Sequence, residues 1–126
     1  MTKEAVLHDF WSSFGLPAYE ENYVEDMDGK APEYPYITYE VATDNFDGTD
    51  IQLTGQLWYR SNAWTGINAK ANEISEAIGK GIMAYCDGGR VFIYRGHRFA
   101  QNSGDSTDKD VKRKILNIRV RFYTNN

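Results

Sequence analysis

Between residues 51 and 60 apolar and polar positions alternate, with Ile51, Leu53, Leu57 and Tyr59 on one side and Gln52, Thr54, Gln56, Trp58 and Arg60 on the other. A period of two is that of a strand with one face buried. Further on the period lengthens: Ile67, Ala71, Ile74, Ile78 and Ile82 recur at steps of four, three, four and four. Lys70, Glu73, Glu76 and Lys80 fall off that stripe. The pattern predicts one long amphipathic helix over about 67–83, lying on the sheet to which the preceding strand belongs. The joint at 61–66 is rich in capping residue types, with Thr65 or Asn68 expected as N-cap. Gly79 and Gly81 loosen the far end, and Asp87-Gly88-Gly89 predicts a turn.

The remainder of the chain fills in around this pair. Val6, Leu7, Phe10, Trp11 and Phe14 follow helical spacing over 2–14, begun at Thr2 and stopped by Gly15 and Pro17. Residues 18–35 show no clear period and read as an irregular surface connection. Over 36–43, Ile37, Tyr39 and Val41 share one face of a strand. Asp47-Gly48 before the next alternating run is a hairpin signal, so the two strands should be antiparallel neighbours. A short strand at 90–94 leads through Gly96 to 97–101, as a second hairpin or a kinked strand. Residues 103–110 are polar throughout and predict a mobile tip. Leu116, Ile118, Val120 and Phe122 then alternate with Asn117, Arg119, Arg121 and Tyr123.

The expected fold class is α+β: one domain over 1–126, a mainly antiparallel sheet, and the long helix and the N-terminal helix packed on one face. The opposite face would carry Gln52, Gln56, Trp58, Arg60, Arg119, Arg121 and Tyr123. Such a face is either an ordinary solvated sheet surface or a subunit contact, since arginine and aromatic residues are enriched at interfaces.

Composition narrows the function. The 126 residues fit one core. Nine tyrosines and three tryptophans serve equally as core filling and as interface residues. A net charge of −4 argues against a protein built to neutralise many phosphates. The basic cluster Lys109, Lys112, Arg113 and Lys114 is interspersed with acids. The single cysteine, Cys86, reads as a structural thiol. No apolar run approaches bilayer length and the start has no signal-peptide segment, so the chain is expected to be soluble where it is made and to have no membrane partner.

Chemistry is sparse. His8 and His97 stand alone, with no metal-ligand spacing, and no serine sits in a nucleophile elbow. Residues 43–54 mimic part of a calcium loop, but Thr43 and Thr54 occupy positions that need acids. The glycines fit no phosphate-binding pattern. No catalytic residue, metal or cofactor is expected.

In order along the chain, residues 10–19 (Phe10-Trp11-Ser12-Ser13-Phe14-Gly15-Leu16-Pro17-Ala18-Tyr19), Tyr34-Pro35-Tyr36-Ile37-Thr38-Tyr39-Glu40-Val41, Leu57-Trp58-Tyr59-Arg60-Ser61, Asp87-Gly88-Gly89, Phe99-Ala100-Gln101 and Leu116-Asn117-Ile118-Arg119-Val120 resemble the tail terminator, or tail completion, proteins of long-tailed phages and prophages. The likeness spans nearly the whole chain and is weakest over 25–32. It implies a structural virion protein, made in the host cytoplasm, that forms a ring, typically of six, on the head-proximal end of the tail tube. The ring would end tube polymerisation, meet the head connector, and let DNA pass only as cargo. Taken with the polar and aromatic sheet face, it nominates Trp58, Arg60, Arg119, Arg121 and Tyr123 for one side of a head-to-tail subunit contact. Glu20, Glu21, Glu25 and Asp26 are nominated for the other. The alternatives are a head-tail connector or neck protein, and a small ligand-binding or catalytic domain using His97 and the acidic loops.

Overall fold

In the computed structural model, which describes residues 1–21, 32–42, 50–103 and 108–124, the chain opens with the expected N-terminal helix, α1 (Lys3–Ser12). Thr2 caps it by accepting the Ala5 N–H at 3.1 Å, and Val6, Leu7, Phe10 and Trp11 are buried. Then come β1 (Ala18–Glu20), β2 (Tyr36–Tyr39), β3 (Asp50–Arg60), α2 (Thr65–Ile78), β4 (Ile82–Cys86), β5 (Gly89–Ser103) and β6 (Val111–Thr124). The strands form one sheet in the order β1-β2-β3-β6-β5-β4.

The expected fold class needs correcting. About half of the described residues are strand and about a quarter helical, so the protein is mostly β, built on a curled six-stranded mixed sheet. The long helix expected over 67–83 ends at Ile78. Gly79 (φ +53°) and Gly81 (φ +133°) take backbone conformations that L side chains rarely adopt, and they turn the chain out of the helix. Ile82, which fits the helical stripe, instead starts β4 and pairs with Ile93. At the other end α2 begins without a side-chain cap: its N-cap is Trp64, neither Thr65 nor Asn68. The sheet is mixed because Ala18–Glu20, expected to be irregular, lies parallel to β2, with Ala18 opposite Ile37. The other four pairings are antiparallel, including the expected one between β2 and β3. The hairpin loop at 43–49 lies outside the described residues.

The inner face follows the alternation in β3 and β6. Leu53 pairs with Ile118, Gly55 with Leu116 and Ile51 with Val120; from β5, Ile93 continues the Ile51–Val120 row and Val91 pairs with Phe122. Helix α2 lies over β3, β5 and β6, burying Ile67, Ala71, Ile74 and Ile78. Each buried isoleucine contributes roughly 1.5–3 kcal/mol. Helix α1 touches β1 and β4, the two outermost strands of the sheet. The two helices are tied together where the Lys70 ammonium donates to the Phe14 carbonyl at 2.9 Å.

The segment around Gly96 is a kinked strand and not a second hairpin. The register of β5 on β6 shifts between Arg95 and Ala100. The Asn117 amide donates to the Arg98 carbonyl at 2.7 Å, giving a partner to a group that the bulge removes from the ladder. Gly96 admits this approach, since a Cβ there would lie 2.9 Å from the Asn117 carbonyl oxygen.

Candidate subunit interface

The sheet face turned away from the helices carries the outward residues of β3, β5 and β6, and register gathers them into two clusters. In the first, Asp50 sits opposite Arg121, and Arg121 opposite Phe92, while Arg119 lies between Gln52 and Tyr94. Both arginines converge on one carboxylate. Arg121 Nε donates to Asp50 Oδ1 at 2.7 Å and Arg119 Nη1 to Asp50 Oδ2 at 3.4 Å. Arg121 also donates to the Tyr123 hydroxyl at 3.2 Å, and the Arg119 guanidinium lies 5.8 Å from the Tyr94 ring centre. Tyr123 and Asp50 together push the Arg121 guanidinium up from its ordinary value. Phe92 stacks on Tyr94 and meets Tyr123 edge-on, and Tyr123 is 38% exposed. Asp50, Tyr94, Arg119 and Arg121 enclose a shallow concavity.

The second cluster is centred on Trp58. Its ring stacks on Tyr36 at 5.9 Å, its N–H donates to Thr38 Oγ1 at 2.9 Å, and the Arg113 guanidinium lies 5.1 Å from it. Tyr36 is buried. That burial, with Tyr34 as a lesser cause, pushes its hydroxyl up to about 12. Arg60 stands at the end of β3 far from Asp50 and pairs with Asp108 at 3.1 Å. The Asp110 N–H is the chief reason, and Arg60 a lesser one, that the Asp108 carboxyl is held below its usual range.

Of the residues nominated for the first patch, Arg119, Arg121 and Tyr123 are therefore brought together, Trp58 belongs to a separate aromatic cluster, and Arg60 stands apart. For the second patch, Glu20 lies on the edge strand β1 and Glu21 is exposed just after it. Glu25 and Asp26 lie outside the described residues. Sequence reasoning missed Asp50, which orders both arginines, and Phe92 and Tyr94, and it placed Arg113 only in a basic cluster, not beside Trp58. The basic run at 109–114 is split by strand alternation: Arg113 joins Trp58, while Lys112 packs on Trp64 and donates to the Lys109 carbonyl, and burial pushes the Lys114 ammonium down.

Glu20 also lines a concavity of about 530 Å3, together with Glu4, Ala5, His8, Tyr39 and Val41. His8 Nδ1 is 2.8 Å from the Tyr39 hydroxyl, and Nε2 is 3.3 Å from Ser12 Oγ. Burial first, and Glu20 second, push the Tyr39 hydroxyl up. Nothing in the sequence marks this site, because its central contact joins residues 31 positions apart. His97 is exposed on β5. Among the described residues no group of three or more His, Cys, Asp and Glu is placed to hold a metal, and no helix is long and apolar enough to cross a membrane.

Comparison with protein-family models, with curated proteins and with solved structures finds no match to the chain.

Proposed function

We propose that the chain is a ring-forming structural subunit of the tail-terminator kind, closing the head-proximal end of a phage tail tube and meeting the head connector there. Besides the sequence resemblance, one structural observation supports it: the sheet face without helices carries arginines fixed by aromatic rings and by a single carboxylate. Two guanidinium groups share Asp50, which leaves one positive charge over for a partner's acid. Side chains already ordered lose less freedom on association, and arginine with aromatic neighbours is the composition of interface cores. The acids at the β1 edge, Glu20 and Glu21, belong to a different part of the subunit. A head-to-tail contact between unlike patches is what closes a ring.

Native mass and electron microscopy test the proposal together. The expected result is a closed ring of defined copy number, alone or on addition of tail tubes, seated at one tube end. A chain that remains monomeric at all concentrations and in the presence of tubes would overturn it. A ring found only on the head side of the connector would favour a neck protein.

The His8 cavity supports a second reading, a small-molecule binding domain. A ligand screen that shifts the amide resonances of His8 and Tyr39 would favour it.

A further inference from the structure

Edge strands are ordinarily blunted by a charge, a proline or a bulge, because their unpaired N–H and C=O groups template pairing with another chain. Strand β4, Ile82-Met83-Ala84-Tyr85-Cys86, has none of these and ends the sheet. Its turn into β5 has two residues, Asp87 and Gly88, between the paired Cys86 and Gly89. In such a hairpin the backbone groups of Cys86, Ala84 and Ile82 point to β5, and those of Met83 and Tyr85 point outward. The outward series is closed at both ends: the Gly81 N–H goes to the Ile78 carbonyl at 2.8 Å and the Asp87 N–H to the Met1 carbonyl at 2.7 Å. Between them, the backbone groups of Met83 and Tyr85 have no partner among the described residues.

A cavity of about 230 Å3 adjoins this open stretch. One helical face of α1, Val6, Asp9, Phe10 and Ser13, forms one wall, and Ile82 and Ala84 belong to the other. We propose that β4 and α1 form a peptide-binding groove, taking an extended segment of a partner protein as an added strand. An apolar side chain opposite Ala84 would lodge in the cavity, and a lysine or arginine two residues away would meet Asp9.

Each feature of that segment follows from the groove. A strand added to β4 would bond to Met83 and Tyr85, and its alternate side chains would point to opposite faces. The residue opposite Ala84 points inward, where the small alanine leaves room beside Phe10 and Val6. Its two neighbours point outward onto Met83 and Tyr85, which are 42% and 73% exposed. Asp9 is exposed and has no ionic partner among the described residues, so the groove carries an unmatched negative charge at its rim. A second copy fits poorly. Two β4 strands paired antiparallel about Ala84 would set alanine against alanine, leave both cavities unfilled and draw the two Asp9 carboxylates together. The groove takes a basic and apolar segment whether or not the chain builds a ring.

The test uses a fluorescent, end-blocked Arg-Val-Leu-Val-Arg peptide, followed by anisotropy and by amide resonances of the full chain. Saturable binding is expected, with shifts confined to residues 6–13 and 82–86. Methylating the three central peptide nitrogens should abolish it, and Asp9→Lys, at the exposed surface of α1, should weaken it about fivefold. Absence of binding, equal binding of the methylated peptide, or shifts centred on His8 would overturn the groove. So would concentration-dependent self-association through β4 that the peptide does not compete away. A His8-centred pattern counts against the groove when it includes Tyr39 and Glu20, which line the other cavity, and leaves 82–86 unmoved.

Discussion

Gly55 of β3 lies against the indole of Trp11 so closely that a Cβ built on it would come within 2.4 Å of the ring. The contact fixes where α1 crosses the sheet, since Trp11 is fully buried and also stacks on Tyr39. Gly55→Ala should therefore cost about 1–3 kcal/mol by overpacking and lower the melting temperature by several degrees. Trp11→Phe in the same chain should return part of that loss. A double-mutant cycle with no coupling would show that the ring moves aside freely.

Ile74 is buried on α2 over β3, β5 and β6. Ile74→Asp would bury a carboxylate without a partner and should cost roughly 3–5 kcal/mol, enough to unfold many domains of this size. Circular dichroism melting checks it, and an unchanged midpoint would contradict the packing of α2.

Replacing Arg119 and Arg121 separates assembly from folding. Charge reversal would crowd two carboxylates against that of Asp50, so the informative variant is Arg119→Gln with Arg121→Gln. Exposed ion pairs contribute little to stability, and the double variant should stay folded, with a melting temperature close to that of the parent. On the ring proposal it should run as a monomer in native mass spectrometry and leave tubes overlong. Tubes of normal length capped by the double variant would refute this assignment of the contact.

Tyr36 should give a signature at high pH. Its hydroxyl is pushed up to about 12 in the folded chain from an ordinary value of 10.0, chiefly by burial. The neutral form is thus favoured by folding. That contribution to stability is fully present below pH 10 and is lost as pH rises toward about 12. Melting temperature should fall less steeply over that window in Tyr36→Phe than in the parent. Identical slopes would show that Tyr36 ionises as an exposed phenol.

How much of this was legible depended on the length of each signal. The alternation through Leu116, Ile118, Val120 and Phe122 and the helical stripe from Ile67 to Ile78 run long enough to identify a strand and a helix. Ile82 fits both periods, and only the backbone at Gly79 and Gly81 decides between them; β4 was hidden for that reason. Strand β1 has three residues, too few to show a period, and its parallel pairing makes the sheet mixed. The arginines and Tyr123 could be nominated because their strand is regular. Asp50 could not, because its role depends on the register of β3 against β6. The cavity at His8 and the groove at Asp9 each join α1 to a distant strand, and neither leaves a local motif.

The middle of the sheet is made by strands far apart in the chain: Arg60 pairs with Val111, and Asp50 with Arg121. During synthesis, the edge of β3 that β6 is to occupy stays unpaired until residues 111–124 have left the ribosome, and α2 meanwhile has only part of the surface it is to cover. Folding thus waits for residues 111–124 and is governed by a long-range pairing, which slows it. Chains stopped before Val111 would expose two long, apolar strands at once and should be captured by chaperones or proteases, not accumulate as soluble fragments.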